Sequence, residues 1–293
     1  MIDYSLIETP QQLKELNEKL NGKDITSIAM DFEEESNLHV YGEHLCLIQI
    51  YDGTSYYVID AVKLLESGEG KSAVKDFLES PVEKIMFDCS SDAAIVRKTL
   101  GIRLNSIYDV RVIAKALDFM GNLTALIERN LGIKSENPAL KKKYQKTNWM
   151  KRPLTDEQIE YALGDVTYLF RLKQSLQEEV SQLPSGIRNR IKADMRNCAN
   201  RKHSEKPGWE KICNYKALNR SQKTYLRYFF NARDELARKA NVPPTNIIEK
   251  QLLVKMAKEG SWENSLDKNK LKYKTAFENA RQAALNEING KNL

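Results

Sequence analysis

The chain has 293 residues, 41% hydrophobic and 29% charged, and a net charge of +6. That is length for two domains and apolar content for a packed core. It excludes a membrane span, since no run approaches ~18 uninterrupted apolar residues.

The start, MIDYSLIETPQQLKEL, lacks both a basic segment and an apolar run and does not read as a signal peptide. Thr9, Pro10 and Gln12 predict a helix start: a Thr cap, a Pro at the first helical position and a Gln three residues after the cap. Gly22 ends that helix. Three β-branched or aromatic runs follow, residues 25–30, 45–51 and 56–59, separated by short turns that predict an antiparallel meander. Helical stretches at 73–78 and 92–100 then enclose a short apolar run at 84–87, an alternation that calls for crossovers and parallel pairing. The fold class expected is α/β, a mixed sheet flanked by helices. From Asp109 the pattern is helical almost to the end. Pro184, Ser185 and Gly186 open a polar, basic stretch that reads as a connection with some helix of its own. Beyond Trp209 the periodicity is that of a small all-α bundle: Leu226, Phe229, Phe230, Leu236, Ala237 and Ala240 fall near one helical face, and Val242-Pro243-Pro244 breaks the helix. The domains expected are 1–182, a linker 183–208, and 209–293.

The four cysteines, Cys46, Cys89, Cys198 and Cys213, have no paired spacing and read as reduced thiols, giving a cytoplasmic expectation. Cys198, His203 and Cys213 are too few and too loosely spaced for a zinc site. Charge divides the chain. Residues 1–180 hold 22 Lys and Arg against 29 Asp and Glu, and residues 181–293 hold 24 against 11. A basic half joined to an acidic half suggests a polyanion held by one part and worked on by the other. A solvated Lys/Arg surface is the plain alternative.

Three acidic motifs stand out: Asp31-Phe32-Glu33, Asp92, and Tyr161 with Asp165. If the first strand continues through Glu33, side-chain alternation puts Asp31 and Glu33 on one face. Asp92 follows a strand-to-helix passage, where a first-turn acid is ordinary. Pro153 and the Thr155/Gln158 capping box mark a helix on which Tyr161 and Asp165 lie a turn apart. Each motif alone is a commonplace surface feature. Together, four carboxylates at one spot repel and would take up protons unless cations neutralise them. All-oxygen ligation suits Mg²⁺ or Mn²⁺.

These residues resemble the ribonuclease D group of 3′–5′ exonucleases, the Tyr-bearing subclass of DEDD nucleases. SIAMDFE is similar to the first motif, KIMFDCSSD to the second, and TNWMKRPLTDEQIEYALGDVTYL to the third. TYLRYFFNARDELARKANVPPTNII resembles a single helicase-and-RNase-D C-terminal (HRDC) domain, a helical nucleic-acid-binding module. The resemblance implies a ribonuclease-H-like sheet and an enzyme, a metal-dependent 3′–5′ exoribonuclease of the tRNA- and structured-RNA-processing kind. It would release nucleoside 5′-monophosphates by two-metal-ion hydrolysis. It also implies that Asp31, Glu33, Asp92 and Asp165 hold two divalent cations, Asp31 bridging, with Tyr161 orienting the attacking water. The sequence departs from the family where Phe87 replaces a usual His, Ser91 a usual acid, and Asp31-Phe32-Glu33-Glu34 the commoner Asp-Thr-Glu-Phe.

The expected partner is a single-stranded RNA 3′ end, with no membrane; the oligomeric state is left open, a monomer being favoured. ALKKKYQKTNWMKR carries six basic residues, no acid, and interleaved Tyr144 and Trp149, a composition suited to a single strand. Its candidate contacts are Lys141, Lys142, Lys143, Lys146, Trp149, Lys151 and Arg152. Phe32 and, in the C-terminal part, Arg227, Arg233 and Arg238 complete the set. Deleting residues after Trp209 is expected to weaken substrate binding without stopping cleavage. A 3′–5′ DNA exonuclease and a non-catalytic RNA-binding protein on a nuclease scaffold stay open as alternatives.

Overall fold

A computed structural model describes residues 2–22, 25–134, 143–201 and 206–290. The chain divides into two compact units: Met1–Glu35 with His44–His203, and Ser36–Glu43 with Ser204–Leu293.

The first unit opens with β1 (Tyr4–Ile7) and α1 (Pro10–Leu20). The capping box forms: the Gln12 amide donates to Thr9 Oγ1 while the Thr9 amide donates to the Gln12 side chain. Next come β2 (Ser27–Ser36), β3 (Glu43–Tyr51), β4 (Tyr56–Ile59), α2 (Ala61–Leu64), α3 (Gly68–Leu78), β5 (Glu83–Met86) and α4 (Ser90–Leu100). They are followed by β6 (Ile107–Asp109), α5 (Val110–Ala116), α6 (Leu123–Leu131), α7 (Asp156–Thr167), α8 (Leu169–Ser181) and α9 (Ser185–Ala199). The six strands make one sheet in the order β1-β4-β3-β2-β5-β6. β3 and β4 pair antiparallel, whereas β1 with β4, β2 with β5, and β5 with β6 pair parallel. The mixed sheet flanked by helices is the architecture expected. The two edge strands, β1 and β6, were not read from the sequence, because three or four residues cannot display a two-residue period.

β2 runs on to Ser36 instead of stopping at Met30, and its pleat organises the unit. Ile28, Met30 and Phe32 enter a core layer with Leu13 of α1, Val74 and Phe77 of α3, and Val96 of α4. Ala29 faces the other way, into a layer with Ile113 of α5, Leu126 of α6, Val166 of α7 and Leu172 of α8. Fully burying each such large apolar side chain contributes on the order of 2 kcal/mol. A third apolar group joins Cys46, Leu47 and Val58 to Trp149, Ile159, Ala162 and Leu163. α9 occupies much of the stretch read as a connection. It packs on β6, α4 and α5 and is part of the first unit.

The second unit is helical: α10 (Arg220–Ala240), α11 (Pro244–Ile247), α12 (Lys250–Glu259) and α13 (Lys274–Gly290). Leu226, Phe229 and Ala237 of α10 meet Leu253 and Met256 of α12 and Phe277 of α13 in its core. Asn219 and Gln222 cap α10, and Pro244 opens α11 after the expected break. The segment Ser36–Glu43 belongs to this unit; Tyr41 packs on its core and donates to Asp234 Oδ2 at 2.6 Å. No helix among the described residues is long and apolar enough to cross a membrane.

Candidate active site

Because β2 continues past Met30, Asp31 and Glu33 share the face that Ala29 presents, opposite Phe32. α7 brings in the third acid: ligand oxygens of Asp31, Glu33 and Asp165 lie within 4.8 Å of one another. α7 is placed by its capping box, in which the Gln158 amide donates to Thr155 Oγ1 and the Thr155 amide to Gln158 Oε1. Asp92 stands outside that tight trio, in the first turn of α4, buried at 7% exposure. Of the neighbouring charges, that of Asp31 acts on it most strongly. The turn before α4 is made at Asp88, whose φ of +59° is one that Asp tolerates better than most residues. Asp109 secures the turn by accepting the amides of Asp88 and Cys89 at 3.1 and 2.8 Å.

The electrostatics are those of acids crowded together. Burial pushes the Glu33 carboxyl well above the ordinary carboxylate range, and Asp31, Asp165 and Asp92 push it further. Asp92 is raised the same way, first by burial and then by Asp31 and Glu34. A multivalent cation reverses both shifts by favouring the charged form. The donors are carboxylate oxygens only, so the site fits a hard divalent cation and not a thiolate-bound one. Tyr161 is held against the trio, half-buried, with its ring 5.9 Å from that of Tyr144 and 6.1 Å from that of Trp149. Burial, then the negative charges of Asp165, Glu33 and Asp31, raise its phenol above the ordinary value. The hydroxyl therefore keeps its proton at neutral pH and is hydrogen-bonded to Asp165.

A cavity of about 190 Å³ opens on the acids, lined by Asp31 and Asp165 together with Phe87, Asn122, Leu123, Thr124 and Gln145. Sequence reading missed Asn122, Thr124 and Gln145. Asn122 carried a signal, an Asn placed to cap α6, whose side chain accepts the Ala125 amide. Gln145 lay inside the basic run and was passed over for its lysines. Gly164, between Tyr161 and Asp165, has nothing within 4 Å of where a Cβ would stand.

The expected strand contacts divide. Lys143, Lys146 and Lys151 are exposed, while Lys141 and Lys142 lie outside the described residues. Three expectations are corrected by burial. Trp149 is 1% exposed, inside the group that supports Tyr161. Phe32 points into the opposite core layer. Arg233 is 2% exposed, with its guanidinium 4.6 Å from the Phe230 ring centre. Arg152 is also engaged within the fold. It grips Asp60 with two hydrogen bonds of 2.6 and 2.8 Å and donates to the carbonyls of Trp149 and Cys46. Arg227 pairs with Glu287, and Arg238 is exposed. A second cluster, Cys89, Asp109 and Cys198, brings two thiols to 3.3 Å. Asp109 there is a helix cap whose oxygens already accept backbone amides. His203, weighed with Cys198 in the sequence, lies outside the described residues.

Comparison with known proteins follows this geometry. The profile of a family described as 3′–5′ exonuclease matches residues 4–181. Ribonuclease D of Haemophilus influenzae is 31% identical over 160 residues, 54% of this chain and 38% of that protein. Ribonuclease D of Desulfotalea psychrophila is 25% identical over 271 residues, 88% of this chain and 67% of that protein. The chain thus matches between about two fifths and two thirds of these relatives' length. The crystal structure of Escherichia coli RNase D, described as an exoribonuclease involved in structured RNA processing, superposes with a TM-score of 0.71 at 22% identity. That superposition covers 97% of this chain and 76% of that one.

Proposed function

The chain belongs to the 3′–5′ exonuclease family, and from that premise we propose that it is a divalent-cation-dependent exoribonuclease. It releases nucleoside 5′-monophosphates from RNA 3′ ends. The observation that carries this reading is the meeting of Asp31, Glu33 and Asp165 within 4.8 Å, beside the buried Asp92. The choice of RNA is supported by the curated relatives, which are ribonucleases D.

Asp31, Glu33, Asp92 and Asp165 would hold two cations, Mg²⁺ or Mn²⁺. Such a pair supplies a nucleophile from water at neutral pH and stabilises charge on the departing 3′-oxygen. The chain's own groups do the rest. Tyr161, locked as a donor by its surroundings, fixes the orientation of the Asp165 carboxylate and of a water beside it. With its pKa raised, the phenol stays protonated at neutral pH and is a poor general base. Asn122, Thr124 and Gln145 offer hydrogen bonds to the terminal nucleotide, and Phe87 and Leu123 offer apolar surface to its base. Open space over Gly164 lets the substrate backbone approach α7. The helical second unit, with the exposed Arg238, is assigned to substrate retention in the manner of an HRDC domain.

The test is degradation of matched 3′-labelled RNA and DNA strands by the purified protein with Mg²⁺, Mn²⁺ or EDTA. Stepwise shortening of RNA that stops in EDTA is expected. Preferred shortening of DNA would reassign the substrate, and binding without shortening under any metal would end the enzymatic reading.

A further inference from the structure

A larger cavity of the first unit, about 690 Å³, lies between α9 and the starts of α4 and α5. None of the groups assigned to the chemistry lines it, yet it adjoins the acidic site. Phe87 borders the smaller cavity and Asp88, the next residue, borders the larger one. Arg111 bridges the two, its guanidinium 5.6 Å from the Phe87 ring centre and paired with Asp88. Arg201 comes in from the end of α9 and donates to Ser90 Oγ at 2.9 Å, two residues before Asp92 on the same helix.

Resting on the exoribonuclease reading, we propose that this cavity is the binding site for the nucleotides on the 5′ side of the scissile bond. A chain whose 3′-terminal nucleotide fills about 190 Å³ must continue from there, and the adjoining space can take another one or two nucleotides. The lining has the chemistry for them. Lys115, Arg190 and Arg201 are exposed cations on its rim. Val112, Ile187 and Ile191 give an apolar floor against which base faces can rest. Ile187, at 38% exposure, is one of few large apolar side chains in the described residues left open to solvent. The carboxylates of the cavity leave the cations in excess by one charge: Asp88 is taken by Arg111, and against Lys115, Arg190 and Arg201 stand the exposed Asp118 and Asp194, the latter 3.7 Å from Arg190 in a weak exposed pair that a phosphate can replace. Cationic rim and apolar floor together are the pattern of a single-strand groove.

The experiment compares the wild type with Lys115→Ala/Arg190→Ala on the p-nitrophenyl ester of uridine 5′-monophosphate, which has no nucleotide 5′ of the scissile bond, and on a longer single-stranded RNA. Neither residue belongs to the chemical machinery. For the longer RNA, KM should rise about tenfold, and the salt dependence of log K should flatten by about 1.4, roughly 0.7 per cation removed. Hydrolysis of the p-nitrophenyl ester, which places nothing in the larger cavity, should keep its kcat and KM. The charge-preserving pair Lys115→Arg/Arg190→Lys should restore long-RNA binding, which a folding defect in the alanine variant would not explain. An equal loss on both substrates, or an unchanged KM and salt slope on the longer RNA, would overturn the assignment. If the wild type cleaves no RNA, the exoribonuclease reading fails by itself. Binding of the longer RNA in EDTA then decides the cavity: weaker binding by the alanine variant upholds it, and equal binding removes it.

Discussion

At the scale of single residues the site makes opposed demands on stability and function. Asp31→Ala or Asp165→Ala should abolish cation-dependent cleavage, because each removes a member of the trio gathered within 4.8 Å. Either variant should melt at or above the wild-type temperature in EDTA, since the remaining acids repel less, and should lose most of the stabilisation that Mg²⁺ gives the wild type. A variant that retains full turnover would contradict the assignment. Gly164 separates the two demands most cleanly. An alanine there meets no neighbour and improves helix propensity by about 1 kcal/mol. Gly164→Ala should therefore raise the melting temperature while lowering kcat/KM for RNA, because its methyl occupies space that the substrate needs. Raised stability with unchanged turnover would show that the substrate backbone does not come close to α7. Tyr161→Phe should slow turnover by about a hundredfold with little change in the cation concentration required, measured by titrating activity with Mn²⁺.

At the scale of elements, the end of the segment read as a strand-binding loop, Trp149 and Arg152, is an anchor for α7, while Lys143, Lys146 and Lys151 stay exposed. Arg152 ties it to Asp60 and to the carbonyls of Cys46 and Trp149, and the Asp60 side chain is only 3% exposed. Arg152→Ala should cost about 3 kcal/mol, because it leaves Asp60 buried and unpaired. Urea unfolding measures this, and a loss below about 1 kcal/mol would place the anchor elsewhere. The composition of that segment misled because basic and aromatic residues look alike whether they face a nucleic acid or the core. Spacing told more than composition. Both Thr-x-x-Gln boxes and the antiparallel β3–β4 pair were legible, since each rests on local periodicity or capping, whereas the run of β2 past Met30 into consecutive acids entered only as a condition. Lys84 was not legible. It opens the apolar run at 84–87, where nothing in the pattern marks it, yet its ammonium is buried, donating to the carbonyls of Ser80 and Val82 and to Ser80 Oγ. Burial lowers its pKa from 10.5 to about 8. The unfolded chain then binds more protons between those values, so this group's contribution to stability rises as pH climbs from about 8 to 10.5. Relative to Lys84→Met, the wild type should gain about 3 kcal/mol over that window in urea titrations. Parallel pH curves would show that the ammonium is better solvated than its burial implies.

At the scale of the whole chain, the charge division at residue 180 falls inside the first unit, before α9, and it could not show that the second unit also takes in Ser36–Glu43. Ser36–Glu43 follows directly from the strand bearing Asp31 and Glu33, and it belongs to the helical unit through Tyr41 and Asp234. No hydrophobic period marks so short a segment, and long-range partnership leaves no local trace in the sequence. This changes what truncation after Trp209 tests. The shortened chain would lose Asp234 and the apolar neighbours of Tyr41 as well as Arg238. It should melt lower and act more slowly even on a dinucleotide, and a truncated chain matching the wild type on that substrate would refute this.

Neither unit is a contiguous stretch of polypeptide, so no one nick can part them cleanly. A protease cutting near residue 205 would leave Tyr41 on one fragment and Asp234 on the other. The fragments should then travel together on a sizing column until denaturant is added. The same interleaving has a bearing on biosynthesis: β2 leaves the ribosome long before the helices that receive its extension. The first unit must wait, with residues 36–43 uncovered, until α13 has been made.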